Sequence, residues 1–378
     1  MTENRYVQEV YQLEIQHTSD QFFTDRFFNK GFSSVDNRGV LVAKTENNFS
    51  HHETLKDKEF QIKQLIVNIR KKYESYTDIM LYYKVRKDKI RTNKKDDERI
   101  YEYFRIVYRD EYGHLLIEER TLNIDENLYN IVDSAMKKII NEINLLKKEG
   151  EKKEKIEGFY NIIIPTSLSG FFVHEIIGHL LEDDFFQHSS TIINHEVRCS
   201  EVLNISDIAQ GHMNINKIDD TGVTCLEANL IKNGRIVGFL SEKTGSKRRQ
   251  DYRYEAITRM RTTYVHPHSD KNEFDYIKSL DNGIYIENIT IGGLNPIDGN
   301  YTLSGYGYAI SNGRKKGIIP NLHIEGNVID DLKKIIDIGC DVKLRGVECF
   351  KKNQFVRVAS LSPSMLLQDI KVTGEIYG

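Results

Sequence analysis

The chain has 378 residues, of which 39% are hydrophobic and 29% are charged, and its net charge is −3. This composition is typical of a folded globular protein, and the length favours two domains. The sequence excludes a positive potential over the whole protein, of the kind that attracts nucleic acid, because Lys and Arg are interspersed with Asp and Glu, as in residues 86–99. We expect that charged run to form a solvated loop.

The cysteines indicate a reduced, cytoplasmic protein, because they form neither a C-x-x-C pair nor a dense framework. There are four: Cys199, Cys225, Cys340 and Cys349. The first ten residues, MTENRYVQEV, lack the basic-then-apolar pattern of a secretory signal, and no run of 18 apolar residues occurs. We therefore expect neither secretion nor a membrane-spanning segment.

The first 150 residues predict a mixture of helices and strands. Apolar residues close to helical spacing predict a helix over 59–76, and a strand follows at 78–85. Residues 101–122 predict a hairpin that turns near 111–113.

The strongest helical pattern covers residues 126–150, where one apolar stripe runs from Leu128 to Ile143. Asp125 is the expected N-cap of this helix, and Gly150 is the expected stop.

The charged, patternless segment 151–158 predicts a linker between a domain at 1–150 and a second domain at 151–378. A buried strand, a Pro/Ser/Gly turn and a helix with two histidines follow it. From about residue 216 short strands dominate, with Asn-Gly hairpin turns predicted within 229–240 and 308–319. The fold class is therefore α+β: an N-terminal domain of strands and helices, then a strand-rich, barrel-like domain that carries the histidine helix.

The histidine helix contains the sequence HEIIGH, in which His174 and His179 are five residues apart. In the zinc-protease motif H-E-x-x-H the histidines are four apart and share one helix face. On an ideal helix the present pair would point about 140° apart. The two rings converge only if the helix is wide, kinked or broken around Ile176 to Gly178, as in a π-type bulge.

Glu175 follows the first histidine and occupies the place of the general base in zinc peptidases. The carboxylates just after the motif, within residues 181–184, are candidates to hold the imidazole N–H groups. Two histidines leave a zinc site one protein ligand short. The remaining candidates are His188, His195 and the four cysteines.

The motif and the residues after it resemble the TldD/PmbA family of zinc metallopeptidases, whose hallmark is H-E-x-x-x-H with a distant cysteine. The resemblance covers about the last 215 residues, in order and nearly without gaps. It is carried by residues 173–184, 218–249, 258–265, 281–314 and 345–374.

The resemblance implies that His174, His179 and Cys349 are zinc ligands and that Glu175 is the catalytic base. It implies hydrolysis of peptide bonds in extended, unstructured or leader-type peptides. It also implies a partner, either a TldE/PmbA-like subunit or a second copy of this chain in a dimer. No nucleotide, nucleic-acid or membrane partner is expected.

The sequence departs from the family near the site, where Leu180 and Asp183 replace glycines and residues 244–249 gain bulk and charge. We expect these changes to affect substrate preference more than metal binding. The N-terminal half aligns only loosely with the family.

Two other functions stay open. A Cys/His hydrolase would use Cys349 as its nucleophile. A non-enzymatic family member would hold a structural metal and act as a scaffold in a peptide-processing complex.

Overall fold

A computed structural model describes residues 6–18, 21–35, 41–45, 55–92, 95–121, 127–149, 153–166, 168–186, 198–211, 214–215 and 217–377. Three six-stranded sheets and two long helices account for most of these residues. The predicted α+β class is confirmed.

The N-terminal sheet is antiparallel throughout, and its strands lie in the order β3-β2-β1-β4-β5-β6. The strands are β1 (Tyr6–Thr18), β2 (Gln21–Val35), β3 (Leu41–Thr45), β4 (Ile79–Arg91), β5 (Asp96–Arg109) and β6 (Leu115–Thr121). Burial alternates along β1 and β4, so that one face of the sheet packs on the core and the other meets polar surroundings.

Two helices cover the apolar face of this sheet, α1 (Lys56–Lys72) and α2 (Leu128–Glu149). Both helices and the 101–122 hairpin are confirmed, with α1 ending four residues earlier than predicted. The apolar stripe of α2 is buried from Val132 to Ile143. Asp125 and Gly150 lie outside the described residues.

The predicted loop at 86–99 is wrong, because its two ends lie in β4 and β5. Arg99 is buried there and pairs with Asp97 and Asp220, with its Nη1 2.6 Å from the Asp220 carboxylate. A charged run stays in a sheet when each charge finds a partner, and the linear sequence does not reveal those partners.

The C-terminal strands form two six-stranded sheets, in the orders β18-β17-β16-β7-β22-β19 and β12-β11-β8-β15-β21-β20. The first sheet contains β7 (Lys153–Ile164), β16 (Asn282–Leu294), β17 (Asn300–Ser311), β18 (Arg314–Asn327), β19 (Ile335–Ile338) and β22 (Met365–Tyr377). The second contains β8 (Ile205–Asp207), β11 (Ala228–Lys232), β12 (Arg235–Ile236), β15 (Thr262–Val265), β20 (Lys343–Lys351) and β21 (Gln354–Ser362).

The remaining elements are short. Two-stranded pairs are made by β9 (Gln210–Gly211) with β10 (Asn214–Ile215) and by β13 (Lys247–Arg248) with β14 (Ile257–Thr258). The short helices are α3 (Ser169–Val173), α4 (Asp183–Phe186), α5 (Glu273–Ser279) and α6 (Val328–Asp331), with single 3₁₀ turns at Glu242–Thr244 and Leu332–Lys334.

The predicted linker at 151–158 is wrong from Lys153 onward, because these residues begin β7. They pair antiparallel with β22, from Lys153 opposite Tyr377 to Gly158 opposite Val372. Ile156 is buried and anchors the inner face of this stretch. Its charged neighbours lie on the outer face, which gave the sequence its linker-like appearance.

The first C-terminal sheet curls until β18 also pairs with β22, whereas the second sheet is open. The curled first sheet agrees with the barrel-like expectation, although the strand-rich region as a whole is two sheets and not one closed barrel. Its main core lies between them and includes Phe172, Ile176 and Ile177 from the histidine helix.

Both Asn-Gly turns are confirmed. Asn233 and Gly234 have φ of 48° and 69°, and Asn312 and Gly313 have φ of 50° and 68°. Two successive residues with positive φ define the type I′ turn, whose twist matches that of the flanking strands. Among the described residues, no helix is both long and apolar enough to cross a bilayer.

Candidate metal centre

The helix that carries the two histidines changes its winding at the motif. It begins as α3, widens to a π-helix from His174 to Gly178, and tightens to a 3₁₀ turn from His179 to Leu181. The π winding places residues five apart on one face, and the two imidazole centroids are 4.7 Å apart. The expected widening around Ile176 to Gly178 is confirmed.

Packing around the π-helix explains why this stretch contains glycine. A Cβ atom on Gly178 would lie 2.6 Å from Sδ of Met260, so that no larger residue fits without a shift. Ile176 and Ile177 in the same stretch are fully buried in the main core, which also contains Met260. The widened turn is therefore packed within this core, against the segment that precedes β15.

Three side chains bring one donor atom each to within 4.8 Å of one another: His174, His179 and Cys349. The Sγ atom of Cys349 lies 3.5 Å from Nε2 of His179. Two tetrahedral zinc ligands with bonds of 2.0–2.3 Å are separated by about 3.5 Å. Among the described residues this is the one group of three potential metal donors, and it joins residues 170 positions apart.

His174 is 1% exposed, and its Nε2 atom has no hydrogen-bond partner in the described structure. Its Nδ1 atom lies 3.4 Å from Oγ1 of Thr263. A buried imidazole nitrogen without a partner loses hydration and gains no hydrogen bond. A metal ion among the three donors would satisfy that nitrogen, and two imidazoles with a thiol form a donor set of the type that zinc prefers. The residues present therefore fit such an ion.

Glu182 fixes the orientation of His179. Its carboxylate lies 3.0 Å from Nδ1 of His179 and can only accept that proton, so that Nε2 is the ring nitrogen that faces Cys349. Glu182 also accepts hydrogen bonds from the Met260 amide at 2.9 Å and the Lys351 ammonium at 2.5 Å. Burial alone would raise its pKa, but the charges of His179 and Lys351 lower the pKa of Glu182 to about 2.

The expectation that carboxylates of 181–184 hold an imidazole is met by Glu182. The other two carboxylates have different partners: Asp184 accepts from Lys351 at 2.6 Å, and Asp183 accepts from the Thr258 hydroxyl. Lys351 thus joins Glu182 and Asp184 in a buried network, although it lies on β20, far away in sequence.

Cys349 is 3% exposed on β20, and Arg259 lies beside it. Nη1 of Arg259 is 3.3 Å from the Cys349 Sγ atom and 2.9 Å from its carbonyl oxygen. Burial by itself raises the pKa of the Cys349 thiol, but the positive charge of His179 beside it holds that pKa well below its usual range. Thiolate is the form in which cysteine binds metals.

Sequence reasoning missed Arg259 as a contact of the cysteine. It lies within residues 258–265, one of the segments that carried the family resemblance, and that was the available signal.

Glu175 lies beside the cluster and next to β16. A Cβ atom on Gly292 of that strand would lie 3.2 Å from Cγ of Glu175. Burial raises the pKa of the Glu175 carboxyl, and the positive charge of the two histidines opposes that rise. The Glu175 carboxylate therefore lies between the three potential metal donors and strand β16.

The other candidate ligands are not in the cluster. Cys199 is buried in the apolar core, Sγ of Cys225 donates to the Gly245 carbonyl at 3.2 Å, and Cys340 is exposed. His188 and His195 lie outside the described residues. Of the departures from the family, Leu180 is fully buried in the core.

A family model described as the PmbA/TldA metallopeptidase C-terminal domain matches residues 157–374. This match covers more than half of the sequence, and the chain therefore belongs to the TldD/PmbA family.

Curated relatives have metalloprotease names. A zinc metalloprotease TldD homolog of Saccharolobus solfataricus is 30% identical over 266 residues, which cover 66% of this chain and 58% of the relative. A metalloprotease TldD homolog of Buchnera aphidicola is 29% identical over 243 residues, which cover 59% of this chain and 50% of the relative. The chain spans about half the length of the curated relatives it matches.

Solved structures share the fold along nearly the whole chain. TldE from Thermococcus kodakarensis has a TM-score of 0.71 at 15% identity and covers 98% of this chain and 96% of its own. A Thermotoga maritima protein, crystallised as a candidate modulator of a DNA gyrase, has a TM-score of 0.69 at 17% identity, with coverages of 98% and 95%. At these identities the likeness establishes the fold alone.

Proposed function

We propose that this chain is a zinc-dependent metallopeptidase that hydrolyses peptide bonds in unstructured or leader-type peptides. His174, His179 and Cys349 hold the metal in this proposal. The observation that carries it is the convergence of these three donors around a buried Nε2 atom of His174 that has no protein partner. The metalloprotease names of the relatives support the same assignment.

Each residue of the site has a separate task. Zinc, when bound, supplies Lewis acidity toward the scissile carbonyl group. Glu175 takes a proton from the attacking water and returns it to the leaving nitrogen. Glu182 keeps His179 in the tautomer that leaves Nε2 free for the metal.

We propose that the substrate binds at the edge of β16. Among the described residues, β16 pairs with β7 only at Ile284 and Tyr285, whereas its pairing with β17 continues to Leu294. The segment near Gly292 therefore has an unpaired edge beside Glu175, and a Cβ atom on Gly293 would meet nothing within 4 Å. An extended peptide added there is recognised by its main chain, with little sequence preference.

We propose that the active assembly contains either a TldE/PmbA-like subunit or a second copy of this chain. The structural likeness to TldE supports this pairing. All four cysteines are free thiols, which supports a reducing, cytoplasmic location.

Elemental analysis of the purified chain and two cysteine variants tests the metal. Wild-type protein and Cys199→Ala should each contain close to one zinc per chain, whereas Cys349→Ala should lose it. Cys199 is the matched control, because it is also buried but lies away from the cluster. Wild-type protein without zinc would overturn the proposal.

The Glu175→Gln variant tests catalysis. It should retain zinc and lose peptide hydrolysis by a factor of 10² or more, the usual contribution of a general base. Unchanged hydrolysis would remove Glu175 from the role of base. If no hydrolysis by wild-type protein is found although zinc is bound, the scaffold function gains support.

The short separation of Cys349 and His179 also favours a second candidate, a Cys/His hydrolase. Treatment with a chelator distinguishes the metallopeptidase from the Cys/His hydrolase. Activity that is lost with chelator and restored by Zn²⁺ supports the metallopeptidase, whereas activity that survives chelator and is lost with iodoacetamide supports the cysteine nucleophile.

A further inference from the structure

A cavity of about 250 Å³ lies between the N-terminal sheet and the hairpin of β20 and β21. Its wall contains four basic side chains and a single acidic one: Lys84, Arg86, Arg249, Arg357 and Glu348. Side chains alternate along a strand, so that Glu348 faces this cavity and its neighbour Cys349 faces the metal centre on the other side of β20. The cavity is therefore separate from the proposed active site.

Three of the basic side chains have a carboxylate within 3.1 Å: Arg86 with Asp88, Lys84 with Glu348, and Arg357 with Glu119. Arg249 differs from them. Its guanidinium donates to the Ser33 hydroxyl at 3.0 Å and to the Asp220 carbonyl oxygen at 3.0 Å. Within the described part of the chain, no carboxylate oxygen accepts from that guanidinium. The Asp220 carboxylate interacts with its charge but is already paired with Arg99, so the wall keeps a surplus of positive charge.

A further arginine increases this surplus. Arg248 lies behind the wall, is 1% exposed, and donates from Nη2 to the Arg357 carbonyl oxygen at 3.3 Å. Its Nε and Nη1 atoms have no acceptor in the described structure, and neither do the Nε atoms of Arg249 and Arg357. Burial of cationic N–H groups without an acceptor is costly in free energy.

We propose that this cavity binds a small oxyanion, of the phosphate or carboxylate type. Guanidinium groups present forked donors that match the oxygens of such anions, and the bound charge would offset the surplus on Arg248 and Arg249. Tyr101, Tyr103 and two glutamines add polar groups to the wall, and the volume of the cavity suits a ligand of a few heavy atoms. The anion would contact the strand that carries Cys349 from its opposite face, and its binding does not depend on the proposed peptidase activity.

Isothermal titration calorimetry on the full chain tests the proposal, with inorganic phosphate and succinate as the probes. At least one probe should saturate a single site, with affinity that falls as ionic strength rises. Arg249→Gln should weaken binding tenfold or more, because a charge-assisted hydrogen bond is lost. Arg253→Gln is the matched control, since this arginine is 45% exposed, pairs with Asp251 outside the wall, and should change affinity less than twofold.

The variant Glu348→Gln provides a second test, because misfolding of a variant can lower its affinity for the anion but cannot raise it. The substitution removes the acidic group of the wall and leaves Lys84 with one carboxylate, Glu14 at 3.2 Å, in place of two, so that it should tighten binding severalfold. Tighter binding of phosphate identifies a phosphate-bearing ligand, and tighter binding of succinate identifies a carboxylate ligand. The proposal is overturned if neither probe saturates a site, if Arg249→Gln and Arg253→Gln lose affinity equally, or if Glu348→Gln fails to tighten binding.

Discussion

Substitution of Glu182 by Gln tests whether one buried carboxylate controls both the fold and the metal centre. The side chain is fully buried and accepts from His179, Met260 and Lys351. Glutamine keeps the shape and one acceptor oxygen but removes the charge. The change therefore isolates the ion pair with Lys351 and the strength of the bond to His179.

The expected loss of stability follows from the contacts of Lys351. Removing one member of a buried ion pair costs about 3–5 kcal/mol, because the other charge stays buried. Asp184 still lies 2.6 Å from the Lys351 ammonium in the variant, which favours the lower end of that range, about 3 kcal/mol. Affinity for zinc should fall by about 10–100-fold, since a ligand histidine loses its anionic partner.

Two measurements check these values. Urea unfolding followed by far-ultraviolet circular dichroism gives the free energy of unfolding, a suitable probe because the chain contains no Trp. Competition with a chromophoric chelator gives the zinc affinity. Glu242→Gln is the control, since this exposed carboxylate should change stability by less than about 0.5 kcal/mol. Wild-type stability and zinc affinity in Glu182→Gln would refute the reasoning.

Two other predictions concern packing and pH. Gly178→Val should destabilise the protein by about 1–3 kcal/mol through its collision with Met260, whereas Gly293→Ala, which meets nothing within 4 Å, should have a much smaller effect in the same urea assay. Burial raises the pKa of Glu142 from 4.5 to about 7, so that the folded protein binds this proton more tightly than the unfolded chain does. The protein therefore loses up to about 3 kcal/mol of stability as pH rises from 4.5 through 7. Glu142→Gln should flatten that profile. Asp133→Asn, on the same helix but with its pKa lowered to about 2, should leave the slope between pH 4.5 and 7 unchanged, and equal slopes in wild type and Glu142→Gln would contradict the assignment.

Much of the candidate site could be predicted from sequence because its key features are local. The spacing of His174 and His179, with Gly178 between them, required a widened helix if both rings were to meet, and the π-helix has that form. Cys349 could not be selected from the residues alone, since six candidates remained. The family resemblance selected it, and the structure brings it to 3.5 Å from His179.

Two of the contacts around the donors were beyond sequence reasoning. Arg259 reaches Cys349 from the segment before β15, and Lys351 reaches Glu182 from β20. Both contacts depend on how β15, β20 and β21 lie in one sheet, where β15 pairs parallel to β21. The division of the chain at residue 150 stays a prediction.

The sequence by itself determined the elements that short-range chemistry controls: the apolar stripe of α2, the two Asn-Gly turns and the winding of the histidine helix. Tertiary structure decided whether the charged segments form strands and whether their side chains are buried. Residues 153–158 became part of β7 because β22 satisfies their main-chain hydrogen bonds, and Arg99 became buried because Asp97 and Asp220 meet it there. A charge is hydrated unless a distant segment supplies its partner, and only the folded chain shows which segment that is.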